Sequence, residues 1–119
     1  DPGLRFLRAL MLVDAQRVPE ARTEYERLTQ DYPELPEPFN NLAVIYAGDG
    51  RLDLARQTLE TALRNDPSYL VAHQNLGDVH ARLALRAYAA AASAPRVEEP
   101  LQRKLKLARE LVGLPAASR

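Results

Sequence analysis

The sequence predicts an all-α fold: a solenoid of about three helix pairs, the third with a shortened turn or fused helix, plus a C-terminal capping helix. Three observations predict it. Apolar residues recur at helical spacing along most of the chain. Landmarks repeat 34 residues apart, so that Ala21, Tyr25, Leu28 and Pro33 fall on Ala55, Leu59, Ala62 and Pro67. Finally, Pro33 and Pro67 close the first two pairs at matching positions, where a helix cannot continue. A single helix pair cannot bury its own apolar face, so about three such pairs must stack.

Residues 4–14 read as the first helix. Leu4, Leu7 and Met11 lie on one side and Phe6, Leu10 and Val13 on another, so it is apolar over more than half its girth. Residues 15–17 turn the chain. A second helix runs from Pro19 to Gln30, with Pro tolerated in its first turn. It presents Ala21, Tyr25 and Leu28 to its partner and stops at Asp31-Tyr32-Pro33. The Pro-rich stretch 34–38 leads into the central pair, with helices near 37–47 and 52–65. Gly48-Asp49-Gly50 is expected to supply the positive-φ positions of the turn between them.

The third pair departs from the pattern. His73, Leu76, Gly77 and His80 fall in the slots of Phe39, Leu42, Ala43 and Tyr46. The next landmarks, Ala84, Tyr88 and Ala91, then arrive five residues early. No Gly or Pro occurs between Gly77 and Pro95, and good helix formers dominate there. Either the chain breaks tightly near 82–86, or one helix runs from about Val71 to Ser93; the continuous helix is favoured. Residues 94–97 read as a linker, Glu98 to Val112 as a final amphipathic helix, and the last four residues as a frayed tail. The first pair departs too, with Arg5 and Arg8 in the slots of Phe39 and Leu42. Polar residues suit those slots where no earlier helix pair covers them.

The chain's 119 residues suffice for one domain, with repeats at about 2–35, 36–69 and 70–94 and the capping helix at 98–112. There are no cysteines, which excludes disulfides and thiolate chemistry. The 16 basic and 16 acidic residues balance, whereas a nucleic-acid binder usually carries a basic excess. No apolar run approaches the ~18 residues of a membrane span. The chain opens Asp1-Pro2-Gly3, without an initiator Met or the basic stretch of a signal peptide, and is expected to be a fragment or processed form.

The stretch Phe39 to Pro67 carries Phe39, Leu42, Ala43, Tyr46, Ala55, Leu59, Ala62 and Pro67 at the spacing of the tetratricopeptide repeat, W-x2-L-G-x2-Y, A-x3-F and a terminal Pro. With its flanking copies, the chain over residues 4–93 resembles a three-repeat tetratricopeptide domain. The central copy is most similar to those of bacterial, often envelope-associated, proteins; cytoplasm and periplasm both stay open. The resemblance implies a non-catalytic scaffold or adaptor that binds a protein or peptide in a concave groove lined by the first helix of each repeat. Carried onto this sequence, the partner-binding residues are Phe6, Leu10 and Val13. Glu37, Asn40, Asn41, Val44 and Ala47 follow in the second repeat, and Gln74, Asn75, Asp78 and Arg82 in the third. Asn41 matches the central Asn of the subclass that clamps a C-terminal carboxylate. The basic partners of that clamp are missing, because Phe6, Leu10, Val71 and Asn75 occupy their slots. An amphipathic helix or an extended neutral peptide suits the groove better. The alternative is a self-assembly module using the apolar first helix or the last helix, which makes a homo-oligomer the second expectation.

No constellation supports catalysis, and no cofactor or metal is expected. His73 and His80 are about 10 Å apart along one helix, too far to share a metal ion; in the repeat's large packing slots they are expected to be half-buried. Glu24/Glu26 and Glu98/Glu99 are near neighbours on solvated turns, not carboxylates opposed across a cleft. Gly48-Asp49-Gly50 follows a helix and lacks the Lys-Ser/Thr of a phosphate loop. Arg103, Lys104, Lys106 and Arg109 make the last helix basic, without the interleaved aromatics of a nucleic-acid surface.

Overall fold

Prolines and short polar breaks punctuate the chain into six helices among the described residues. The structure, a computed structural model, describes residues 1–94 and 98–115. The expected linker, in its 95–97 part, and the expected frayed tail at 116–119 lie outside them. The helices are α1 (Pro2–Asp14), α2 (Val18–Asp31), α3 (Pro36–Gly48), α4 (Leu52–Asn65), α5 (Leu70–Ala92) and α6 (Glu99–Val112). Asp1 caps α1, its carboxylate accepting from the Gly3 amide at 3.0 Å. Proline sits at one of the first two positions of α1, α2, α3 and α6, where a missing N–H leaves no helical bond unmade.

The 34-residue period is visible in the backbone bonds themselves. The Arg17 amide donates to Leu12 carbonyl at 2.8 Å, and Arg51 to Tyr46 at 2.9 Å. At the far ends, Tyr32 donates to Leu28 at 2.8 Å and Asp66 to Ala62 at 2.9 Å. The two interhelix turns therefore have one geometry, and each places a single residue in the left-handed region: Gln16 at φ 61° and Gly50 at φ 78°. Of the glycines expected to supply positive φ, only Gly50 does so. Gly48 is the last residue of α3.

Each helix packs on the next in sequence, from α1 on α2 through to α5 on α6, and α3 also touches α5. Ala9, Ala21, Ala43, Ala55, Ala62 and Ala72 are wholly buried, small residues that let the axes approach. Tyr25, Leu28 and Leu59 fill the volume between them. The result is elongated, 56 × 30 × 21 Å, as a one-dimensional stack should be.

The third pair is one unbroken helix of 23 residues. The partner helix that would fold back over α5's first half is thus absent from that side, and α6 packs along α5 instead. This corrects the expectation for the two histidines. His73 and His80 are exposed rather than half-buried; the His73 Nε2–H donates to the Pro67 carbonyl at 2.8 Å. Gly77 is exposed as well, and a Cβ there would meet nothing within 4 Å. At the other end, Arg5 fills its aromatic slot with a guanidinium 2.8 Å from Asp31 and 5.9 Å from the centre of the Tyr32 ring. Arg8 is exposed.

Candidate functional site

The first helix of the central pair, α3, carries two neighbouring amides with different partners. Asn75 on α5 donates Nδ2 to Asn40 Oδ1, Asn40 donates to Asn41 Oδ1, and Asn41 donates to the Tyr25 hydroxyl, each at 3.1 Å. The chain crosses α5, α3 and α2, with Asn40 wholly buried and Asn75 nearly so. Buried amides demand partners, and no buried side-chain polar atom lacks one among the described residues. Tyr69 lies against the same cluster. Burial pushes its hydroxyl pKa up first, the Glu37 charge adds to that, and the Asn40 amide opposes it.

Beside this polar chain, residues of α3, α5 and the end of α6 face a common cleft. The resulting cleft has a volume of about 490 Å³. One wall is α3 (Ala43, Val44, Ala47), the second is α5 (Asp78, Val79, Arg82), and the third is Leu111, Val112 and Leu114 at the end of α6. Its lining is mostly apolar. The size and character are those of sites that hold an apolar ligand or side chains. Arg82 does not pair with Asp78, four residues before it on α5. Its guanidinium donates to the Ala47 carbonyl at 2.8 Å, placing a cation at the C-terminal end of α3. Asp78 is exposed and has no ion-pair or hydrogen-bond partner among the described residues.

A family model described as the tetratricopeptide repeat matches residues 6–69, which is more than half of the chain. The chain belongs to the tetratricopeptide repeat family. The matched span runs from within α1 through α4 and stops just before α5. Among curated proteins, the TPR repeat-containing protein YvcD of Bacillus subtilis (strain 168) is 35% identical over 74 residues, covering 62% of this chain and 13% of that protein. The TPR repeat-containing thioredoxin TTL4 of Arabidopsis thaliana is 41% identical over 64 residues, covering 54% of this chain and 9% of that protein. The match thus spans a small part of either relative.

Within this tetratricopeptide framework the expected groove residues divide into three groups. Val44, Ala47, Asp78, Arg82 and Asn75 line the cleft. Glu37 and Gln74 are exposed, whereas Asn40 and Asn41 are tied into the amide chain, Asn40 with no surface of its own. In the first repeat, Phe6 is half-buried against Tyr25, ring centres 5.8 Å apart and edge-on. Leu10 is half-buried beside it, and Val13 is exposed. Sequence reasoning missed Leu111, Val112 and Leu114. The signal was present in the apolar spacing of α6, but spacing does not say which helix a stripe will face.

Among the described residues, no three His, Cys, Asp or Glu side chains converge to hold a metal ion. No described helix is long and apolar enough to cross a membrane.

Proposed function

We propose that this chain, as a member of a family of protein–protein interaction modules, is a non-catalytic scaffold that takes an apolar segment of a partner protein in the cleft between α3, α5 and the end of α6. The observation that carries the reading is the cleft itself: mostly apolar, open to solvent, and walled by residues from three helices. The partner segment would be a short amphipathic helix or an extended peptide that places large apolar side chains against Val44 and Leu111.

Peptides selected from a display library for binding to the wild-type chain test this. Their binding should be lost in Val44→Arg, a partly exposed position that should leave the fold intact, and kept in Thr23→Arg on the exposed side of α2. Equal loss in both variants, or none in Val44→Arg, would place binding elsewhere. A second reading, self-assembly, is favoured by one specific observation on α1.

A further inference from the structure

The face of α1 that points away from α2 carries Leu4, Leu7 and Met11, exposed by 67%, 52% and 62%. Spaced three and four residues apart, they form one continuous line along the helix. Single exposed leucines are ordinary, but an unbroken apolar stripe marks a contact surface. Arg8 stands at the edge of this stripe. It is exposed and makes no ion pair among the described residues. Its charge reaches Glu20, whose carboxylate is already held by Arg17.

The cleft offers the complement: apolar walls and, at one side, the unpaired carboxylate of Asp78. We propose that the cleft of one molecule takes the α1 stripe of a second copy, with Arg8 of the incoming helix meeting Asp78. The inference rests on reading the cleft as a protein-binding surface, and it names the occupant. Charge matching favours the cleft over pairing of two α1 stripes. An antiparallel α1–α1 contact centred on the stripe would set Asp1 against the second copy's Asp14 and leave Arg8 without a carboxylate. The stripe and the cleft are different surfaces, so the contact is heterologous. Each molecule that docks keeps one stripe or one cleft free, and assembly proceeds head-to-tail. One helix in a cleft is a small interface, so association is weak and concentration-dependent.

Sedimentation velocity on the full chain, over a concentration series reaching about millimolar, reads the outcome. Wild type should grow beyond a dimer as concentration rises. Leu7→Glu, which spoils the stripe, and Val44→Arg, which spoils the cleft, should each stay at the mass of one chain. A mixture of the two should form a one-to-one dimer and stop there, because each variant retains one competent surface. Arg8→Asp and Asp78→Arg should each weaken association, and the two mixed in the matching orientation should regain it. Circular dichroism on every variant checks that helicity is kept, with Asp78→Arg standing in as the cleft variant if Val44→Arg loses it. A wild-type mass of one chain throughout overturns the proposal. So does association that Leu7→Glu abolishes and both cleft variants leave unchanged. In either case, peptide binding that still depends on Val44 would leave the scaffold reading standing.

Discussion

At the scale of single residues, the two interhelix turns form a controlled comparison. Gln16 and Gly50 are 34 positions apart, sit in the same hydrogen-bond pattern and share a left-handed backbone. Glycine adopts that conformation without penalty, whereas a residue with a Cβ is strained there by about 1 kcal/mol. Gln16→Gly should therefore stabilise the chain by about 0.5–1 kcal/mol, and Gly50→Ala should destabilise it by a similar amount; both are read from urea midpoints. If Gln16→Gly lowers the midpoint, the turn strain is offset by something the backbone does not show. The same scale shows how much of the site the sequence made legible. Val44, Asp78 and Arg82, expected from repeat position, line the candidate cleft, because a position in a 34-residue period fixes a direction in space. Asn40 is expected from the same rule but lies wholly inside, since direction does not say how deep a side chain ends once its neighbour supplies a hydrogen bond.

At the scale of elements, the helices were legible nearly to the residue, because prolines and polar breaks act locally. The exposure of His73, Gly77 and His80 was not. Their slots bury side chains when a second helix folds back, and in this chain α5 runs on. The absence of a turn was visible in the sequence, but its effect on residues a dozen positions earlier is a tertiary one. Gly77 gives a direct measurement. It lies inside a helix, facing open space, so Gly77→Ala should raise stability by about 0.5–1 kcal/mol through backbone entropy alone. A loss of stability would show that a close neighbour needs the missing Cβ. The placement of α6 was the least legible feature. Its apolar stripe requires a cover, and Leu105 and Ala108 find one on α5 while Leu111 and Leu114 stay largely exposed at the cleft.

For the molecule as a whole, alkaline stability reports on the packing between repeats. The Tyr46 hydroxyl bridges to Glu26 Oε2 at 3.0 Å, linking α3 to α2. Burial first, and that carboxylate second, raise its pKa; Tyr69 is raised by burial and the Glu37 charge. Both groups hold their protons more tightly folded than unfolded. Their contribution is thus complete below the unfolded value, about 10, and is lost as pH rises through the higher folded values. Urea midpoints should hold steady up to about pH 9 and then fall. Tyr46→Phe should start lower by about 1 kcal/mol, from the lost hydrogen bond, and fall less steeply; an unchanged slope would assign the alkaline loss to other groups. The row of amides from Asn75 to Tyr25 bears on the same whole. Were α5 to slide one residue along α3 so that Leu76 replaced Asn75 opposite Asn40, the buried Asn40 oxygen would lose that donor at about 1–3 kcal/mol. Apolar side chains tolerate such a slip far better. The row is therefore a locating pin between consecutive units of the stack, holding three helices to one alignment that their alanines and leucines alone would leave degenerate.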